Sequence, residues 1–184
     1  ERLIEEAINY LRDFDSPKIL EIGTGSGCLS ISLAIEFPNS DIQSIDISEK
    51  AINVAKINSE KFHVNNISFK KLDFLKSEMK TFYNFDLLIS NPPYIPKKDM
   101  VSLMPEVRNF EPYNALTDNY DGLEFYRKFS SDLPYILNGN GMGIFEVGLS
   151  AHPKDAKEIF SKIGKSTKLL KDYNGDNRLL IVKL

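Results

Sequence analysis

The sequence predicts an α/β fold: a mostly parallel sheet with helices on both faces and an antiparallel last strand. Three observations predict it. Short apolar runs alternate with amphipathic stretches of helical length through most of the chain, the pattern of successive βα units. The first apolar run opens straight onto a glycine-rich turn and then a helix. The chain closes on two apolar runs, Lys168–Lys171 and Leu179–Lys183, joined across Asn174-Gly175, a hairpin signal that places one strand antiparallel.

In order along the chain, Glu1–Arg12 reads as a helix ahead of the first strand, Lys18–Ile22. Gly23-Thr24-Gly25-Ser26-Gly27 is the turn, and Cys28 to Phe37 the helix it feeds, with Leu29, Ile31, Leu33 and Ile35 available for packing. The second strand, Asp41–Asp46, ends on an acid. Ile47 to Ser59 is helical, with Ser48 as N-cap, Glu49 in the first turn, and Ala51, Ile52 and Ala55 on one face. A third strand, Ile67–Leu72, ends at Asp73-Phe74, and a fourth, Phe85–Ile89, ends at Ser90-Asn91. Residues 95–119 are expected to be mostly irregular. They exceed an ordinary connector and read as a functional loop or lid. Gly122–Leu137 is a helix that ends or bends near Pro134. Asn138-Gly139-Asn140-Gly141 is a turn before the strand Met142–Val147, and Ala151–Ile163 a helix with Ala156, Ile159, Phe160 and Ile163 inward.

The chemistry concentrates at strand ends, where open α/β sheets place ligands. Asn91-Pro92-Pro93-Tyr94 is the most informative stretch. Two prolines remove two backbone donors and hold the segment extended, leaving carbonyls without ladder partners. An Asn side chain, free carbonyls and a Tyr ring suit a planar group bearing an NH₂, either an amide or the exocyclic amine of a base. The same letters also describe a rigid loop that simply ends a strand. The first turn is G-x-G-x-G, neither the dinucleotide fingerprint nor a P-loop. Glu21, just before it, disfavours a pyrophosphate and favours a cationic group such as a sulfonium. Asp46, about 20 positions on, suits the two hydroxyls of a ribose. Asp73 could accept from an adenine amine and Phe74 cover its ring, although an aromatic there serves a core equally well.

These residues carry a resemblance. Glu21 to Gly27, Asp46, Asp73-Phe74 and Asn91 to Tyr94 together resemble the class I S-adenosylmethionine-dependent methyltransferases, a Rossmann-like fold with a seven-stranded sheet. More narrowly, the chain is similar to the HemK/PrmC family, which methylates a glutamine side-chain amide in peptide chain release factors. The narrower likeness rests on Leu103 to Pro112, Ala115-Leu116, Asp121 to Arg127, Phe145 to Gly148, Lys171-Asp172 and Asp176 to Arg178. It implies S-adenosylmethionine as cofactor and S-adenosylhomocysteine as product. Glu21, Gly23, Thr24, Gly25, Ser26, Gly27, Asp46, Asp73, Phe74 and Asn91 are the implied cofactor contacts. Asn91, Pro92 and Tyr94 are the implied catalytic residues, with Pro93 added as a substrate contact. The implied partner is a class-1 release factor, met in the cytoplasm by a monomeric enzyme whose catalytic domain spans residues 1–184. The family's N-terminal helical domain then lies outside this chain. Families that methylate adenine amines in DNA or RNA also carry Asn-Pro-Pro-Tyr and stand as the alternative.

Composition narrows the field further. The 184 residues are 42% hydrophobic, enough for a single core. No apolar run reaches the ~20 residues of a membrane span. One cysteine, Cys28, excludes an internal disulfide and reads as a small packing residue. With His63 and His152 far apart and expected at the surface, no zinc ligand set and no nucleophilic triad emerge. Net charge is −3, and residues 91–128 hold five bases against six acids, no track for a nucleic-acid backbone.

Overall fold

A computed structural model describes residues 1–161, 163 and 166–184. Seven strands form one sheet in the order β3-β2-β1-β4-β5-β7-β6: β1 Lys18–Ile22, β2 Asp41–Asp46, β3 Ile67–Lys71, β4 Phe85–Ser90, β5 Leu137–Glu146, β6 Ser166–Lys171 and β7 Asn177–Lys183. All neighbouring pairs are parallel except those of β7, which runs antiparallel to both β5 and β6. The expected sheet and its antiparallel last strand are therefore observed.

The central strands are buried on both faces, as apolar runs without polar alternation require. Successive residues feed opposite cores. Ile19, Leu87, Ile89 and Ile144 face helices α1 (Arg2–Leu11) and α2 (Cys28–Glu36), while Leu20, Leu88 and Phe145 face α6 (Glu124–Ile136) and α7 (His152–Ser161). Helix α1 presents Leu3, Ala7 and Leu11, spaced four apart on one stripe. Helix α3 (Glu49–Lys61) starts where expected, the Ser48 hydroxyl accepting from the Ala51 N–H at 3.3 Å. Among the described residues, no helix is long and apolar enough to cross a membrane, and no three His, Cys, Asp or Glu side chains gather to hold a metal ion.

Several expectations need correction. The 95–119 segment is not mostly irregular: it holds a 3₁₀ turn (Lys97–Ser102) and two short helices, α4 (Pro105–Phe110) and α5 (Tyr113–Leu116). Pro105 occupies the first position of α4, where its missing N–H costs nothing, and Pro112 caps α5. Asn138–Gly141 is not a free turn but belongs to β5, which pairs Phe85 with Leu137 and then Leu87 with Met142 across a register shift. The Asn138 amide donates to Asp86 at 2.5 Å and holds the irregular part in place. Helix α6, by contrast, ends two residues past Pro134, near the proline as expected. Ile35 is exposed, because α2 turns Ser30, Ile31, Leu33 and Ala34 inward. Cys28 is also exposed, in the first turn of α2, and so is no packing residue. Helix α7 is described to Ser161, and position 162, inside the helix expected to reach Ile163, lies outside the described residues.

Candidate active site

Strand order reverses beside β1: the chain proceeds outward through β2 and β3, then returns to β4 on the other side. The carboxyl ends of β1 and β4 therefore form the switch point, where ligands bind in open α/β sheets. Both leading motifs sit there. The Ser90 hydroxyl donates to the Ile22 carbonyl at 2.6 Å, fixing the two strand ends together. A Cβ on Gly23 would lie 3.8 Å from the Asn91 carbonyl oxygen, so the glycine turn and the Asn91 loop touch.

The turn needs its glycines. Gly23 takes φ +79° while its N–H and that of Thr24 donate to the Ile45 carbonyl at 2.8 and 3.1 Å. Gly27 takes φ +82°, and a Cβ there would meet Ile31 at 3.0 Å and Ala55 at 3.1 Å, so glycine also lets α2 and α3 approach. Gly25 and Ser26 are exposed at the tip, whereas Thr24 is buried.

Glu21 differs from its expected posture. It is 1% exposed, beneath the turn and not open to a ligand. Its Oε2 accepts from the Thr24 hydroxyl at 2.6 Å and from Ser44 at 2.8 Å. Oε1 is buried beside Ser30 without a hydrogen bond of good geometry. Burial pushes this carboxyl above the usual carboxylate range, against the hydroxyl donors that favour the charge. Glu21 thus ties β1, the turn and β2 together, and its field reaches the ligand side only through the turn. Asp46, half-buried at the end of β2, accepts from the Gly25 N–H at 3.0 Å and the Ser48 N–H at 2.8 Å. Its carboxylate braces the turn and the entry to α3 while remaining at the surface of the cleft.

Asp73 follows β3, half-buried, its carbonyl accepting from the Lys76 and Ser77 N–H groups. Phe74 is not at the mouth of the cleft. Its ring is 4% exposed and stacks on Phe129 at 4.9 Å and Phe125 at 6.0 Å, as the core half of its two readings requires.

In the loop after β4 Asn91 is exposed, Pro92 buried, and Pro93 and Tyr94 half-buried. The segment that follows packs back on it: the Ile95 N–H donates to the Leu116 carbonyl and the Lys97 N–H to that of Tyr120. Sequence reasoning did not foresee what holds Tyr94. Its hydroxyl donates to Glu146 Oε1 at 3.1 Å and accepts from Arg178 Nη2 at 2.9 Å, while Arg178 and Glu146 pair at 2.6 Å. Burial and the Glu146 charge push the phenol up, so the hydroxyl is a donor at neutral pH. Gly122 (φ +83°) lies against the Tyr94 carbonyl, leaving no room for a side chain.

His152, expected at the surface, is buried between these parts. The Gly148 N–H donates to its Nδ1 at 3.1 Å, so Nε2 carries the proton and donates to the Gly122 carbonyl at 2.9 Å. Its ring meets those of Tyr94 and Tyr126 edge-on. Asp118 completes the clamp, accepting from the Tyr120, Gly122 and Glu124 N–H groups. Glu146, Arg178 and Gly122 stood within the stretches that carry the resemblance, but nothing local assigned them a partner.

The methyltransferase domain family matches residues 13–122. The chain is 40% identical to the release factor glutamine methyltransferase of Fusobacterium nucleatum over 184 residues, all of this chain and 51% of that one. It is 34% identical to the release factor glutamine methyltransferase of Bacillus subtilis over 180 residues, 97% of this chain and 62% of that one. It thus spans about half to three-fifths of the length of these relatives. A methyltransferase structure from Pyrococcus furiosus shares the fold at a TM-score of 0.69 and 22% identity, over 98% of this chain and 82% of that one.

Proposed function

The chain belongs to the HemK/PrmC branch of the methyltransferase domain family, and we propose that it transfers a methyl group from S-adenosylmethionine to a glutamine side-chain amide nitrogen in peptide chain release factors. One observation carries the proposal: the glycine turn after β1 and the Asn91 loop after β4 meet at the switch point, a cofactor element against an NH₂-recognising one.

The residues present fit the cofactor. The exposed tip of the Gly23–Gly27 turn is where its amino-acid end would lie, and a Cβ on Gly25 would point into open space, so nothing obstructs the approach. Asp46 would accept from the ribose hydroxyls and Asp73 from the adenine amine. Phe74 is left out as a ring contact because its ring is used by the core. Glu21 would act from below, shaping the turn through its bonds to Thr24 and Ser44. When bound, S-adenosylmethionine supplies an electrophilic sulfonium methyl.

The protein's own task is alignment. A glutamine nitrogen is a weak nucleophile because its lone pair is delocalised into the carbonyl. The Asn91 side-chain oxygen and the Pro92 carbonyl would accept its two N–H bonds, and Tyr94 would wall the flat group, fixing the nitrogen for in-line displacement. Held by Asn91 and Pro92, the amide nitrogen would gain the methyl that the sulfonium gives up and lose one N–H proton to solvent. No strong base is needed, because the nitrogen becomes acidic as the bond forms.

Two features support a protein acceptor over a nucleic acid. Val101, Met104, Phe110, Tyr113 and Tyr120 are exposed on the segment packed over the acceptor loop, an apolar surface suited to a folded partner. Arg127 pairs with Asp121 and Glu124, and Lys128 with Asp132, so two of the five bases of residues 91–128 already have carboxylate partners. With a release factor as acceptor, Asn91→Ala should lower turnover by about a hundredfold or more while cofactor affinity falls far less. Parallel decline of both would make Asn91 a cofactor residue and remove the acceptor role.

A further inference from the structure

Glu146 ends β5 and Arg178 is the second residue of β7, and both point at the same phenol. From this geometry we infer that Glu146 and Arg178 are positioning residues, holding the Tyr94 ring at the angle that walls the acceptor amide. The inference rests on the acceptor role proposed above for the Asn91 loop.

Joining β5 to β7 does not require this pair. The strands are already linked by their antiparallel ladder, Glu146 opposite Leu179, and the Val147 N–H donates to the Arg178 carbonyl at 2.8 Å. The pair is also a modest source of stability, since both side chains keep about 20% exposure and border a solvent cavity of about 270 Å³ with Asp172 and Tyr173. What the pair does specifically is close a triangle on the Tyr94 hydroxyl, with sides of 3.1, 2.9 and 2.6 Å. The guanidinium carbon also stands 5.3 Å from the Tyr94 ring centroid.

The rest of Tyr94 is fixed independently. Its carbonyl is pressed by Gly122. Its ring edge borders Gly148, where a Cβ would come within 3.3 Å of Cδ2, and His152 meets the ring edge-on at 6.0 Å. These contacts bound rotation of the ring about its Cβ–Cγ axis, and the hydroxyl triangle, acting at the end of that axis, fixes the direction in which the ring points. A wall that tilts lets the amide tilt, and displacement at a methyl group is sensitive to that angle.

Kinetics and NMR together test the inference. Transfer to a release factor is measured for the wild type, Tyr94→Phe, Glu146→Gln and the double variant. Tyrosine-labelled protein gives the ring signals of Tyr94, identified by their loss in Tyr94→Phe. Each single variant should lower kcat about tenfold with KM for the cofactor nearly unchanged, and the double variant should be no worse than the poorer single one. Glu146→Gln should shift the Tyr94 ring signals while those of Tyr83 and Tyr135 stay in place. Multiplying effects in the double variant, or unmoved Tyr94 signals, would overturn the inference. An inactive wild type whose Tyr94 signals still respond to Glu146→Gln would overturn the acceptor assignment and leave the ring's anchoring established.

Discussion

Gly122→Ala is the sharpest structural perturbation available beside the site. Gly122 takes φ +83°, where a side chain costs roughly 1–2 kcal/mol. The added Cβ would also stand 2.3 Å from the Tyr94 carbonyl oxygen and 3.0 Å from its carbonyl carbon. Those are main-chain atoms, so the 118–124 turn or the Asn91 loop must move by the better part of an ångström. Moving the turn strains two hydrogen bonds, Gly122 N–H to Asp118 at 3.0 Å and His152 Nε2 to the Gly122 carbonyl at 2.9 Å. Each such bond contributes about 1 kcal/mol, somewhat more for the charged acceptor. The sum is about 3–5 kcal/mol, a large share of the 5–15 kcal/mol typical of a domain. Gly175→Ala supplies the control: φ is +91° and nothing lies within 4 Å, so only the backbone cost of roughly 1–2 kcal/mol applies. Urea unfolding at neutral pH should therefore show Gly122→Ala losing about 2–3 kcal/mol more than Gly175→Ala at equal slopes. Equal losses in the two variants would refute the close packing of Gly122 on Tyr94.

Other expectations are more local. By calorimetry Asp46→Ala should weaken S-adenosylmethionine binding by roughly 1–3 kcal/mol, through lost ribose hydrogen bonds and a loosened Gly25 turn, while NAD binds much more weakly throughout; equal affinity for NAD would contradict the cofactor assignment. Burial lowers His152 from its ordinary 6.5, outweighing the carbonyl of Gly122 and the charges of Asp155, Asp118 and Asp121 that raise it. The unfolded chain then takes up the proton first, so this contribution is intact above about pH 6.5 and is lost as pH falls below it through the lowered folded value. Urea midpoints should decline between pH 7 and 5 less steeply in His152→Phe, which is also less stable at pH 7. Parallel declines would show that His152 is not the group responsible.

Much of the frame was legible because its signals are local. Lys18–Ile22 is a largely apolar run and Asp41–Asp46 sets two isoleucines between acids, each bounded by turn residues, and both strands begin and end where those boundaries lie. Ser48 reads as an N-cap because capping needs only the first turn of its own helix. The glycine turn and the Asn91 loop could be placed at strand ends for the same reason, and alternation brought them to one side of the sheet. What could not be read depends on partners distant in sequence. His152 is buried by Gly122 and Gly148, one of them 30 residues away, and its own neighbours show no unusual apolar pattern. The Tyr94 triangle joins residues 52 and 84 positions apart. Phe74 had two readings because a strand-end aromatic can face either way, and only the positions of Phe125 and Phe129 on α6 decide it. Glu21 reads from sequence as facing a ligand because nothing local reveals that Thr24 and Ser44 close over it.

The central claim, methyl transfer to a release-factor glutamine, is tested most directly by the fate of a labelled methyl group. The protein is incubated with labelled S-adenosylmethionine and a release factor, with the same factor carrying glutamate in place of its acceptor glutamine, and with unmethylated DNA, ribosomal RNA and transfer RNA. Mass spectrometry should place one methyl group on the glutamine side chain of the unaltered factor. The glutamate form should take up none, because it offers no N–H donors to the acceptors at Asn91 and Pro92 and adds a charge facing them. Label on nucleic acid with none on the release factor would contradict the account and assign the Asn91 loop to an adenine amine.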